Sequence, residues 1–361
     1  MAFFFRCPYT GIKIPIHGRM EYYKRRNVDS YPASKIDNPL NNTKAKKGIQ
    51  GLKAYFEDLV SNNPDEAAAA INDENLYFGC LYMLKPEVEA EAFYKKLCTR
   101  NKMALGLIDE LQTGSKNTTV LENSSYDYVK SVCSMLQWIL VSGAEDDGLD
   151  DNYDSLLDAA ALILGKVYAD RTVLPAIVDM IFARNRKGFF YNDLLWAFFE
   201  ARYPDSLVLI AKYIQSQKPK DVELARELLS FVPGIGSERD NNRQAQYLSV
   251  TDWLEDNIMY LYYTGESYQQ TGNPIPYRVI YEGKYLNKAV FVSTGKIIET
   301  LDESEYKLLE DFSGLDDKTK IILSNYSHML HKKDIDYWSL WMGYPVAEQI
   351  RLAMSASGVR E

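Results

Sequence analysis

The chain has 361 residues, with 41 Lys and Arg against 50 Asp and Glu, for a formal net charge of −9. Hydrophobic residues at 46% and charged residues at 25% exclude a disordered, collagen-like or coiled-coil chain, and the length suggests two to three domains. Residues 1–50 carry ten basic and three acidic residues, net +7, and the rest carry 31 and 47, net −16, which excludes a uniformly basic nucleic-acid binder and sets a basic arm on an acidic body.

Residues 2–16 (AFFFRCPYTGIKIPI) hold two short strand-like runs around Tyr9-Thr10-Gly11, with Pro8 and Pro15 breaking any helix. Arg6 directly follows three phenylalanines, so no apolar signal-peptide core develops. An extended 16-residue segment spans on the order of 50 Å, enough to cross a neighbouring subunit. Arg6, Lys13, Arg19, Lys24, Arg25 and Arg26 are therefore candidate partner-binding residues, facing an acidic surface like that of the body itself. Residues 24–47 read as a polar, Asn- and Lys-rich connector.

From Gly48 the pattern turns helical. Ile49, Leu52, Tyr55, Phe56 and Leu59 keep a 3.6-residue spacing, and further helices are predicted near 64–71, 75–84, 86–98, 101–112 and 125–141. Five more follow over 155–231, with apolar sets such as Leu174, Ile177, Ile181 and Leu207, Ile210, Ile214. These two sets superpose at a 33-residue offset, and short helix pairs at that period resemble HEAT-like repeats, which imply an α-solenoid. An irregular helical bundle is the alternative. The four cysteines (Cys7, Cys80, Cys98, Cys133) form no CxxC or Cys/His cluster, which predicts reduced thiols in the cytoplasm.

Residues 145–154 (EDDGLDDNYD) place six acids in ten positions. Asp146–Asp150 and Asp150–Asp154 each match DDxxD, which resembles the aspartate-rich motif of isoprenoid synthases. That resemblance implies Mg²⁺ and a diphosphate held by Asp146, Asp147, Asp150, Asp151 and Asp154, with a partial second motif at Asn192-Asp193 and Glu200. Trp196 stands where the family carries a hydroxyl ligand, and Gly148 interrupts the first copy. Ca²⁺ is a second possible ion. The same acids also suit a helix start, with Asp154 or Ser155 capping a helix over 155–168 and Asn192 capping its own.

Tyr260–Tyr285 carries seven tyrosines in 26 residues, a density suited to recognition surfaces and equally to a core. Tyr262, Tyr263 and Tyr268 are the candidate contact residues. Tyr277, Val279 and Tyr281 alternate, and Ala289–Val292 runs into Ser293-Thr294-Gly295-Lys296, which predicts a β-hairpin over 277–300. Helices resume near 303–312, 316–331 and 346–356. Only three histidines exist, His17, His328 and His331, so a Ser-His-Asp or Cys-His arrangement lacks a base. His328 and His331 with Asp334 and Asp336 could hold a metal, or could lie in a helix's last turn beside Lys332 and Lys333.

The expected fold is mainly α: an irregular helical bundle or short HEAT-like α-solenoid, with an extended N-terminal arm and a small C-terminal α+β part. The boundaries are 1–47 (arm and linker), 48–245 (helical body) and 246–361 (tyrosine-rich end). The expected function is non-catalytic: a structural subunit of a larger assembly, partnered by protein or by its own copies, with no cofactor, membrane, nucleic acid or small-molecule substrate. A divalent-metal enzyme acting on a phosphorylated or diphosphate substrate through 145–154 is one alternative. A binding or inhibitor module using Tyr260–Tyr285 is the other.

Overall fold

A computed structural model describes residues 4–6, 13–15, 38–113, 126–235, 242–267 and 270–357. The protein is mainly helical, with a small antiparallel two-strand sheet in its C-terminal part. Its contacts divide it into two compact units, Met1–Ala201 and Arg202–Glu361. The helices matched at the 33-residue offset fall on opposite sides of this division. Among the described residues no helix is long and apolar enough to cross a membrane.

The first unit opens with β1 (Phe4–Arg6) and β2 (Lys13–Pro15), paired antiparallel with Arg6 opposite Lys13. Helix α1 (Pro39–Asn62) starts inside the stretch expected as connector, for local reasons. Pro39 occupies its first turn, and the Asn38 side chain accepts from the N–H groups of Leu40 and Asn41 at 2.9 and 3.2 Å. Asn38 Nδ2 also donates to Ala70 O at 2.9 Å, and Asn41 Nδ2 to Asn75 O at 2.8 Å. Buried asparagines thus anchor a turn whose composition looks like a linker. Gly48, at φ +68°, kinks α1, and beyond it Leu52, Phe56 and Leu59 line the buried face.

Eight short to medium helices follow: α2 (Pro64–Asn72), α3 (Phe78–Met83), α4 (Lys85–Val88), α5 (Glu91–Tyr94), α6 (Thr99–Thr113), α7 (Tyr126–Gly143), α8 (Asp151–Leu162) and α9 (Leu174–Lys187). The unit ends with α10 (Asn192–Glu200). Helix α8 is apolar nearly all round and packs against α7 and α10, with Leu156–Leu162 buried on every side. It continues as a π-helical turn, Ile163–Val167, where Gly165 lies so close to α10 that a Cβ would sit 2.9 Å from Ala197 O.

The second unit begins with α11 (Leu207–Ala211), α12 (Pro219–Leu228) and α13 (Arg243–Asn257). The sequence pattern did not predict α13, because its buried stripe mixes Gln246 and Asn257 with Val250 and Leu254. Strands β3 (Leu261–Tyr263) and β4 (Tyr277–Val279) pair in register Leu261–Val279 and Tyr263–Tyr277. The paired strands therefore span 261–279, and within 277–300 the Gly-containing turn at Ser293–Lys296 closes with Phe291 N donating to Lys296 O and Ile298 N to Ala289 O, each at 2.9 Å. The region 277–300 also holds α14 (Tyr281–Leu286), ended by Asn287 in the left-handed region, and the antiparallel bridge between Val290 and Ile297 that flanks this turn.

Four helices complete the unit: α15 (Glu303–Ser313), α16 (Asp317–Lys333), α17 (Ile335–Met342) and α18 (Val346–Ser357). Asp302, Asp316 and Asp334 cap the first three, each accepting a backbone N–H three residues on. Their core gathers Tyr285, Leu286, Phe312, Leu323, Leu330, Trp341 and Ala353, with Tyr285 and Phe312 stacked at 4.6 Å.

Candidate functional site

The acids of 145–154 do not converge. Lys44 Nζ donates to both carboxylate oxygens of Asp146. Asp147 accepts from Arg184 Nε and Nη2 at 2.9 and 2.7 Å, and Arg184 Nη1 reaches Asp158 at 2.8 Å. Asp150 is the N-cap of α8, accepting from Tyr153 N at 2.8 Å, and it also receives the Tyr82 hydroxyl. Asp154 accepts from Gly148 N at 2.8 Å, and Asp151 stands exposed in the first helical turn. Among the described residues no group of three or more His, Cys, Asp or Glu is placed to hold a metal ion. The candidate metal residues Asp146, Asp147, Asp150, Asp151 and Asp154 are thus placed apart, each with its own partner or position. They take their charge partners or cap a helix, as the helix-start reading expects, although the cap is Asp150.

The second half of the diphosphate pattern is spent in the same way. Asn192 is the first residue of α10, one past its cap Tyr191, and Glu200 pairs with Lys166 at 3.2 Å. Burial pushes the Asp158 carboxyl up to about 7, against the pull of Arg184, and Arg184 itself is held above its ordinary value by its two carboxylates.

The arm residues Arg6 and Lys13 are register partners, whereas Arg19, Lys24, Arg25, Arg26 and Tyr268 lie outside the described residues. In the tyrosine-rich segment the core reading accounts for most rings. Tyr260, Tyr263, Tyr277 and Tyr285 are buried. Tyr263 and Tyr277 pack at 5.8 Å, with the Arg202 guanidinium 5.1 Å over the Tyr263 ring. Tyr263 is therefore not a surface contact residue, while Tyr262 is half-buried.

A different constellation, which the sequence analysis did not assemble, lies in the second unit. A cavity of ≈ 660 Å³ is bounded by α13, α14 and α16. One face of α16 supplies Ile321, Asn325, His328, Met329 and Lys332, at the three- and four-residue steps that align side chains on a helix. Helix α13 supplies Trp253, Asp256 and Asn257, and the β4–α14 segment supplies Val279, Tyr281 and Lys284.

Lys284 is only 3% exposed, and its Nζ donates to Asn257 Oδ1 at 2.7 Å. Among the described residues no carboxylate lies within ion-pair distance of it. Burial lowers its ammonium to about 8, with Asp256 opposing and Lys332 reinforcing the shift. The His328 ring is fixed on its other side. Tyr260 donates its hydroxyl to Asn287 Oδ1 at 2.7 Å, and His328 Nδ1 lies 3.1 Å from both groups. A carboxamide oxygen only accepts, so neutral His328 carries its proton on Nδ1 and leaves Nε2 as a bare lone pair. That Nε2 is buried without a hydrogen-bond partner, 3.8 Å from Asp256 Oδ1. Burial, then the nearby Lys284 charge, lowers the imidazole below its usual value, and burial lifts the Tyr260 phenol to about 12.

No protein-family model matches the chain, and no curated protein or solved structure is significantly similar to it. The pocket therefore has to be read from its own chemistry. Its rim is Lys332, bonded to Asp256 and Glu255 at 3.1 and 3.2 Å, together with exposed Lys333. Of the residues lining the cavity, Asp256 alone is acidic, against three lysines. His331, in contrast, stacks edge-on against Trp338 at 4.7 Å, and Asp334 is engaged as the α17 cap. The two histidines and two aspartates of that region form no shared ligand set.

Proposed function

We propose that the chain is a non-catalytic interaction protein, a structural subunit of a larger assembly, joined to neighbouring copies through its basic N-terminal arm. The observation that carries this reading is the opposition of charge between residues 1–50, net +7, and exposed acids elsewhere on the chain. Residues 302–317 hold seven acids against one lysine, and Glu303, Glu310, Asp311 and Asp317 are exposed, as is the Tyr306 ring.

Helix α17 supports the same reading. Of its eight residues only Trp341 is buried, and Ile335 and Leu340 are more than half exposed. Such faces serve contacts with other chains. The buried thiols of Cys80 and Cys133 fit a reducing, cytoplasmic setting.

Light scattering of the full chain and of a variant lacking residues 1–37 tests the proposal. The deletion stops short of Asn38, so the α1 cap survives. The full chain is expected to associate, less so as salt rises from about 0.05 to 0.5 M, and the shortened chain to remain monomeric and folded. Equal mass for both chains overturns the proposal.

A further inference from the structure

We propose that the pocket between α13, α14 and α16 binds a small organic phosphate, its phosphoryl group between Lys284 and Lys332 and its remaining atoms along Trp253 and Tyr281. This goes beyond the assembly role and does not depend on it.

Three observations carry it. First, Lys284 is a buried cation whose ammonium, among the described residues, bonds to a neutral amide oxygen and to no carboxylate. Buried charges are ordinarily paired, so an anion is the group this site lacks. Second, the charge balance fits. Lys284, Lys332 and Lys333 against Asp256 and the rim Glu255 leave a local charge near +1, which favours an anion, and two ammonium donors suit the several acceptor oxygens of a phosphate monoester. Third, the cavity of ≈ 660 Å³ falls within the range of small-molecule sites and far exceeds a bare phosphate. Its aromatic and aliphatic walls offer surface to an organic body.

The arrangement also explains the unpartnered His328 nitrogen. Asp256 Oδ1 lies 3.8 Å from Nε2 and is bonded to Lys332. A phosphoryl group that takes Lys332 from Asp256 frees that carboxylate to receive a proton-bearing Nε2–H. Binding is therefore coupled to uptake of a proton by His328, whose surroundings include Tyr260, Asn287, Asp256, Lys284, Lys332 and His331.

Isothermal titration of the full chain with inorganic phosphate, adenosine monophosphate and glucose 6-phosphate tests the assignment, with histidine signals followed by NMR. At least one ester is expected to bind one-to-one and more tightly than inorganic phosphate. Its affinity should fall at least about tenfold in Lys284→Met and in Lys332→Ala. The second variant sits on the exposed rim and leaves the fold intact, so the test survives if Lys284→Met fails to fold. A rise in the His328 pKa on saturation supports the coupling. Absence of saturable binding by all three at about 10 mM overturns the site, as does binding unchanged in both variants. Inorganic phosphate binding as tightly as the esters overturns the organic ligand.

Discussion

Arg184 donates Nη2 to Asp147 Oδ1 at 2.7 Å across 37 positions of sequence, and both side chains are almost sealed from solvent. A second carboxylate, Asp158, shares the same guanidinium, and the Phe190 carbonyl takes a further hydrogen bond from it. One cation thus holds two acids of different setting: one from a run of acids that looks solvent-facing, the other from the buried apolar stretch Leu156–Leu162 of α8.

Removing that cation leaves two buried carboxylates facing each other. Arg184→Met is expected to destabilise the first unit by about 3–5 kcal/mol, read as a lowered midpoint in urea with an unchanged slope. The loss should shrink in acid, because Asp158, already raised to about 7 beside its cation, takes up a proton readily.

The same ion pairs bear on metal binding. With Asp146 engaged by Lys44, Asp147 by Arg184 and Asp150 by the first turn of α8, titration with Mg²⁺, Mn²⁺ or Ca²⁺ is expected to give no site-stoichiometric heat. Stoichiometric binding abolished by Asp147→Asn and Asp151→Asn would contradict this placement.

Asn38 offers a sharper local test. Its side chain caps α1 and also bonds to Ala70 O while fully buried. Asn38→Ala should cost about 1–2 kcal/mol, the sum of a lost cap and a carbonyl left without its donor. Asn38→Asp keeps the cap acceptor but sets a buried carboxylate oxygen against Ala70 O, so it is expected to cost at least as much as the alanine.

Much of the helical part was legible because apolar spacing is a strong signal where one face is buried, as in Leu52, Phe56 and Leu59. The regions that were misjudged share a cause. Helix α13 buries glutamine and asparagine beside Val250 and Leu254, and the start of α1 uses buried asparagines, so neither shows a clean apolar stripe. Tyr277, Val279 and Tyr281 alternate as a strand should, yet the chain leaves the sheet after Val279 and turns helical. The pocket was invisible for a different reason. Lys284 and Asn257 are 27 positions apart, Tyr260 and His328 are 68 apart, and only tertiary packing brings them together. The one local hint was a lysine embedded in an aromatic run, YRVIYEGKYL.

Lys284 also predicts a pH signature. A lysine whose folded value is about 8 against an ordinary 10.5 binds fewer protons than the unfolded chain between those limits. Stability from this group therefore rises with pH across that window and is penalised below it. His328, also lowered, adds a loss of stability as pH falls below about 6.5. Lys284→Met should raise stability at pH 7 by about 2 kcal/mol, an advantage that fades towards pH 10. Equal increments at both pH values would refute the assignment.

The bond from Asn38 to Ala70 also fixes how a pull on the N-terminal segment is received. Tension arriving at Asn38 meets a side chain already tied to a second helix, so α1 and α2 carry the load side by side and α1 does not unwind from its end. If the arm holds neighbouring copies together, strain in such an array would be borne by this cross-tie, and weakening it would soften the attachment without altering the arm.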